Sequence, residues 1–470
     1  MARDDLPDLR ALGDGPFLLA PEYLLTPDGM RNGQAVVVAD GRFADLGPVA
    51  EVLARRAGLA RVDLPGCVLM PGFVDAHHHL AQAFGKALAF GEPSEIFRRV
   101  WVPLEGALDD TMIHRASKLA ALEALRGGFT TVVDAGARSA ADLGRMADAV
   151  REAGLRCVLG YVCNDGPEST PVQRDDILAR AATHLDRFAQ DPLVHASLAI
   201  SIPEAATPEM LGAVAELCRA RGVVFQTHIN EHLASVERSI VARARRPFEV
   251  LRDAGALGPQ TLVAHGALMT PSELLTLKET GTGIAYNPVA SVWKGNAVAM
   301  AQLMTTMGVR LGLGTDGTRS DGFRLMDAAE TCQRLAFGMP AGDFSCGAGW
   351  TWLDAASRGG ADVAGLGAIT GRIAVGLAAD FLVVDVDVPE FQPSWDLDWE
   401  LVRLGNRDQI EAVFVNGRLR LMHGWPVDWD ARALMREVAT SAKAAVAKAP
   451  ILKLHPSAAA SRATARAQGS

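Results

Sequence analysis

The chain lacks an excess of basic charge. Its 46 Lys and Arg stand against 55 Asp and Glu, a formal net charge of −9, whereas a nucleic-acid surface wants a basic face. Long apolar runs are missing too. No stretch of 18 apolar residues occurs and the first residues, Met1-Ala2-Arg3-Asp4-Asp5, are polar, so neither a membrane span nor a secretory segment is expected. The expectation is a soluble cytoplasmic protein with no nucleic-acid and no membrane partner. Cysteine is scarce: Cys67, Cys157, Cys163, Cys218, Cys332 and Cys346 show no CxxC spacing. They read as buried reduced thiols used as small apolar groups. The spacing also excludes the cysteine-ligated zinc site that pairs HxE with PCxxC.

What remains is a chain rich in core-forming residues. Hydrophobic residues make up 49% and charged residues 21% of 470, enough for one large domain with a smaller one. Between about 71 and 370, apolar strands alternate with helical patterns, which predicts βα units around a parallel sheet. The strands are Phe73-Val74, 130–134, 157–161, 196–200, 223–226, 262–264, 283–286 and 309–313. Eight of them predict an α/β protein, a (β/α)8 TIM barrel with its site at the C-terminal strand ends. Residues 1–70 and 371–430 read as short strands and turns, including the hairpin signal Asn416-Gly417. Neither set makes a comfortable domain alone. Together they predict a composite β-sandwich built from both chain ends. Residues 431–470 are left as a C-terminal helix and a flexible tail with no assigned function.

Chemistry concentrates at the predicted strand ends. The first reads Pro71-Gly72-Phe73-Val74-Asp75-Ala76-His77-His78-His79. Alternate side chains of a strand share a face, so His77 and His79 can bind one ion while His78 points away and is given no role. The fifth ends Gln226-Thr227-His228-Ile229-Asn230-Glu231, where His228 and Glu231 suit a ligand and a proton carrier, or a structural histidine beside a solvated acid. The sixth ends Ala264-His265-Gly266 and the eighth Gly312-Leu313-Gly314-Thr315-Asp316-Gly317. Three imidazoles and a carboxylate suit one borderline divalent ion, zinc first and iron as the alternative.

PGFVDAHHH resembles the first-strand signature of the amidohydrolase superfamily, and HxxE, AHG and GLGTDG are similar to its later strand-end motifs, in the same order. The resemblance implies a metal held by His77, His79, His228 and Asp316, with Glu231, His265 and Asp316 as the catalytic groups. It implies one ion rather than two, because strand four ends Ile200-Ser201-Ile202-Pro203-Glu204 without the lysine that bridges a metal pair. Such an ion would lower the pKa of water toward ~7. The expected reaction is hydrolytic deamination of an amino-substituted N-heterocycle, a free purine, pyrimidine, pterin or triazine-type base, with release of ammonia. Hydrolysis of a cyclic amide or of another C–N or C–Cl bond on a heterocycle is the alternative, and an inactive scaffold the remote one. Gln82 and Trp101 are the candidate substrate contacts, Trp101 on a lid helix over 95–101. Strand four also lacks the PHAPYT-like histidine of the adenosine and S-adenosylhomocysteine deaminase branch, which favours a free base over a nucleoside. Family analogy implies a homodimer.

Overall fold

The computed structural model describes residues 6–13, 15–92, 96–166, 170–342, 349–455 and 458–468. Eight parallel strands form one sheet in sequence order. They are β1 (Phe73–His78), β2 (Phe129–Asp134), β3 (Arg156–Val162), β4 (Val194–Ile200), β5 (Phe225–Ile229), β6 (Thr261–His265), β7 (Gly283–Tyr286) and β8 (Leu311–Leu313). The sheet closes where His78 and Asp316 form a parallel bridge and the Asp316 amide donates to His77 O at 2.8 Å. The eight expected strands are therefore all present. One shift affects the site: β5 begins two residues later than the apolar run suggested and carries on through His228. Val223 and Val224 belong to the approach to the strand, because the bonded register starts at Phe225 opposite Thr261 and Leu198.

The two chain ends build one continuous nine-stranded sheet. Its seam is the strand Arg61–Pro71, parallel to Phe17–Thr26 on one side and antiparallel to Phe381–Asp385 on the other. Along Phe17–Thr26 successive residues feed different cores, Leu18 and Ala20 one cluster, Phe17 and Leu19 another, as the two-residue period of a strand requires. The predicted hairpin joins Ile410–Val415 to Arg418–Met422 through Asn416 and Gly417. Both turn residues have positive φ, 51° and 69°, the demand that makes Asn-Gly the favoured pair. The seam strand runs straight through Gly72 into β1. A Cβ at Gly72 would collide with Thr130 of β2, so glycine lets sheet and barrel meet at this point.

The C-terminal region carries a helix where one was expected, and the stretch after it differs from the expectation of a flexible tail. Helix Ala431–Lys448 packs on helix Asp110–Arg126, and a further helix spans Ala458–Gln468. Between them the chain docks on the segment bearing Trp101. Leu452 N donates to Arg99 O at 3.0 Å, Arg99 Nη1 returns a bond to Leu452 O at 2.9 Å, and Leu454 N donates to Glu92 at 2.9 Å. Ile451 packs with Ile96, Val100, Trp101 and Leu104. The expected lid helix is a single π-helical turn, Phe97–Trp101, running into Val102–Gly106; Glu95 lies outside the described residues. Cys346 lies outside them too, and the other five cysteines are buried and free of disulfides.

Candidate active site

All six expected metal and catalytic groups meet at the C-terminal mouth of the barrel. His77 lies near the end of β1 and His79 just past it, with ring centroids 4.9 Å apart. His228, on β5, brings its Nε2 to 3.2 Å from that of His79 and its ring to 4.6 Å from His77. Asp316 Oδ1 is 3.4 Å from His79 Nε2 and 4.0 Å from His77 Nε2. His265 ends β6, its Nε2 3.6 Å from Glu231 Oε2 and 3.8 Å from Asp316 Oδ2.

The backbone is bent to achieve this. Asn230, His265 and Asp316 have φ of 47°, 74° and 57°, a region that costs non-glycine residues about 1–3 kcal/mol each. The glycine of GLGTDG makes room, since a Cβ at Gly314 would collide with Asn287 and lie 2.9 Å from His77 Cβ. Asp75 anchors the turn from below. It accepts from Thr315 N at 2.9 Å, from Thr315 Oγ1 at 2.5 Å and from His77 N at 3.2 Å. His78 points to the same anchor, with Nδ1 2.9 Å from Thr315 Oγ1 and 3.2 Å from Asp75 Oδ2. Its side chain thus ties β1 to the loop after β8 and holds the Asp316 turn.

Electrostatics prepare the donors. Burial pushes the His77, His79 and His228 imidazoles below the ordinary histidine range, and His265 down to about 4, so all four are neutral, the form that offers a lone pair to a metal. The His228 tautomer is fixed as well: Nδ1–H donates to Ser201 O at 2.6 Å, which leaves Nε2 free to bind. His77 Nε2 is buried with no hydrogen-bond partner among the described residues, an expensive arrangement unless something else satisfies it. The residues fit a divalent ion.

A family model described as the amidohydrolase family matches residues 68–420. The chain belongs to the amidohydrolase family. Among its relatives is the 5-methylthioadenosine/S-adenosylhomocysteine deaminase of Syntrophobacter fumaroxidans, 29% identical over 84% of this chain and 90% of that one. Another is the 8-oxoguanine deaminase of Pseudomonas aeruginosa, 28% identical over 91% and 98%. A crystal structure of an adenosine deaminase from Xanthomonas campestris with bound zinc superposes with a TM-score of 0.83 at 25% identity, covering 91% of this chain and 98% of that one. The homologues of this amidohydrolase are thus hydrolytic deaminases.

A cavity of about 60 Å³ opens beside these groups, lined by His79, Gln82, Trp101, His228, Glu231 and Asp316 among others. Both candidate substrate contacts face it. Gln82 donates through Nε2 to Glu105 at 2.7 Å, so one half of its amide is engaged in the wall. Trp101 is 7% exposed and packs against Val100 and Leu104 as well as the cavity.

Three further groups at the site escaped the sequence reading. Lys294 ends helix Pro288–Lys294 and donates to Asp316 Oδ2 at 2.6 Å and to Glu231 Oε1 at 2.8 Å. Asn296 donates to the same Glu231 oxygen at 3.2 Å. Burial alone would raise both carboxylates, yet the Lys294 ammonium beside them holds Glu231 and Asp316 well below the usual range. Arg138, after β2, lines the cavity and is held by Glu105 at 2.9 Å. The only available signal for Lys294 was its place at the end of Asn287-Pro288-Val289-Ala290-Ser291-Val292-Trp293, which begins like the family's NPxSN stretch and then departs from it.

Proposed function

We propose that this amidohydrolase is a metal-dependent aminohydrolase that deaminates an amino-substituted N-heterocycle and releases ammonia. The observation that carries the reading is Glu231: a carboxylate only 13% exposed, beside the convergent imidazoles and lining the cavity at the barrel mouth. His77, His79, His228 and Asp316 would hold one divalent ion, zinc by preference. When bound, that ion supplies Lewis acidity, which makes water a nucleophile near neutral pH.

The chain's own groups do the rest. Asp316 and His265 orient the attacking water and take its proton. The water oxygen bonds to the amino-bearing ring carbon while Glu231, an ionised carboxylate, receives the water's proton from Asp316 and His265 and hands it to the adjacent ring nitrogen, so the electron pair of the C=N bond has a place to go. Glu231 then takes the remaining proton from the new hydroxyl and passes it to the amine, the C–N bond breaks, and ammonia leaves with the ring carbonyl formed. Lys294 and Asn296 fix the Glu231 carboxylate during both transfers. Gln82 offers an amide to the ring edge and Trp101 a flat face. This chemistry needs an amidine-like N–C–NH2 unit, and the proposal is a free lactam-type base such as a guanine, isocytosine or pterin. We further take residues 71–370 as the catalytic domain, 1–70 with 371–430 as its composite partner, and the assembly as a homodimer, which light scattering checks.

Ammonia release over a panel of free bases and the matching nucleosides, 5′-methylthioadenosine and S-adenosylhomocysteine included, tests the reading. Release from no amino-heterocycle by protein of known metal content overturns it. A nucleoside that beats its free base tenfold in kcat/KM, about 1.4 kcal/mol, replaces the substrate class and keeps the mechanism.

A further inference from the structure

Lys294 stands where a second cation would. Glu231, His265 and Asp316 bring their donor atoms within 4.8 Å of one another, a carboxylate–imidazole–carboxylate set suited to a divalent ion. The two oxygens of Asp316 face different ways. Oδ1 looks toward His79 and His77, at 3.4 and 4.0 Å, while Oδ2 looks toward Lys294 and His265, at 2.6 and 3.8 Å. Glu231 divides likewise, with Oε1 on the ammonium at 2.8 Å and Oε2 turned to His265 at 3.6 Å. The third donor is idle: His265 Nε2 is buried, in a residue 2% exposed, with no hydrogen-bond partner among the described residues. The Asn287 amide lies 3.1 Å from His265 Nδ1. Turned with its oxygen inward it accepts an Nδ1 proton, and Nε2 then presents a lone pair to the same pocket.

We propose that the Lys294 ammonium is a built-in cation that fills this second metal position and holds the site to one ion. The inference rests on the reading of His77, His79, His228 and Asp316 as the ligands of the resident ion. A single positive charge at hydrogen-bond distance then serves both carboxylates, so each keeps a partner without a second metal. Helix Pro288–Lys294 delivers the side chain, and Gly295, at φ 70°, ends the helix right behind it. Taking the charge away leaves two buried carboxylates and an open imidazole around an empty centre, which invites a divalent ion.

The test is metal stoichiometry, read by elemental analysis after equilibration with a modest excess of zinc and gel filtration. Wild type should hold about one ion per chain. Lys294→Met should hold about two, and the Lys294→Met/Glu231→Gln double variant should return to about one. Lys294→Arg, with the charge kept, should stay at about one. Wild type and Lys294→Met both at one ion, with ammonia release intact in wild type, overturns the inference and leaves the proposed function standing. Thermal unfolding monitors each variant. Should Lys294→Met not fold, Lys294→Gln takes its place, and wild type decides independently: uptake of a second cobalt(II) ion in titration would refute the role given to Lys294.

Discussion

Two buried polar clusters occupy opposite ends of the same barrel, and they are built on opposite principles. At the N-terminal end, Arg156 opens β3 and is 1% exposed. Its guanidinium donates to Asp380 at 3.0 and 3.3 Å, to Asn416 Oδ1 at 2.8 Å and to Pro192 O at 2.8 Å. Asp380 also receives Asn416 N at 2.7 Å, so the cluster clasps the barrel to the sheet made by the chain ends. Its donors are matched and its charges paired. At the C-terminal end His77 Nε2, His79 Nδ1 and His265 Nε2 are buried without hydrogen-bond partners among the described residues, and Asn230, His265 and Asp316 carry strained backbone. A satisfied buried network fixes one arrangement; an unsatisfied one stores binding capacity, at a cost the rest of the fold must cover. The comparison assigns stability to one end of the barrel and chemistry to the other.

The largest effect should come from breaking the chemical end alone. Glu231→Gln keeps the shape but cannot carry a proton, and turnover should fall about 10²–10⁴-fold with metal content unchanged. His265→Asn should lower turnover similarly, whereas His228→Ala should lose the ion itself. Near-normal turnover in folded, metal-loaded Glu231→Gln would remove the proton-carrier role. Full metal occupancy in His228→Ala would remove that ligand.

Breaking the other end should give the mirror image. Arg156→Met strands Asp380 as a buried, unpaired carboxylate, a loss of about 3–5 kcal/mol for such a pair. Denaturant unfolding should show that loss, while metal content and kcat of the folded fraction stay near wild type. A large fall in kcat with little change in stability would mean the two ends are not separable as argued.

Legibility follows the same divide. HxH, HxxE, AHG and GTDG could be read because each is a short pattern at a strand end, where local geometry aims the side chain and barrel topology gathers the ends. The chain-end sheet was visible in the Val-rich runs and the Asn416-Gly417 turn. Lys294 was not visible, since its reach to Asp316 and Glu231 depends on the angle of a seven-residue helix after β7. Arg156 and Asp380 are 224 residues apart, and no local pattern links them. The docking of 451–455 on Glu92 and Arg99 was hidden for the same reason: it uses backbone groups, which any sequence supplies.

That docking gives a smaller expected effect. Ending the chain after Lys448 removes the bonds to Arg99 and Glu92 and the Ile451 contact under Trp101. KM should rise severalfold through a looser cavity wall, with metal content held. Unchanged KM would show that the segment is decoration.

The smallest effect is a pH dependence confined to the clasp. His195, the second residue of β4, sits against Arg156, with Nε2 3.4 Å from Nη1. Burial, then the charge of Arg156, lower its pKa from 6.5 to about 4, against the opposing pull of Asp191 and Asp380. The folded protein therefore prefers the neutral ring, while the unfolded chain takes up a proton near 6.5. Between these values the unfolded state binds more protons, so stability falls as pH is lowered. The contribution is whole above pH 6.5, declines from 6.5 toward 4, and is gone below. A shift of one unit is worth about 1.4 kcal/mol, and partial exposure trims the total to on the order of 1–2 kcal/mol. His195→Asn removes the titrating group but keeps an amide to face Arg156. Urea unfolding of metal-saturated wild type and variant across pH 4–7 should show curves that run together near pH 7 and part below 6.5, wild type losing more stability toward pH 4. Curves that stay parallel throughout would mean that His195 protonates equally in both states, and that the clasp is indifferent to pH.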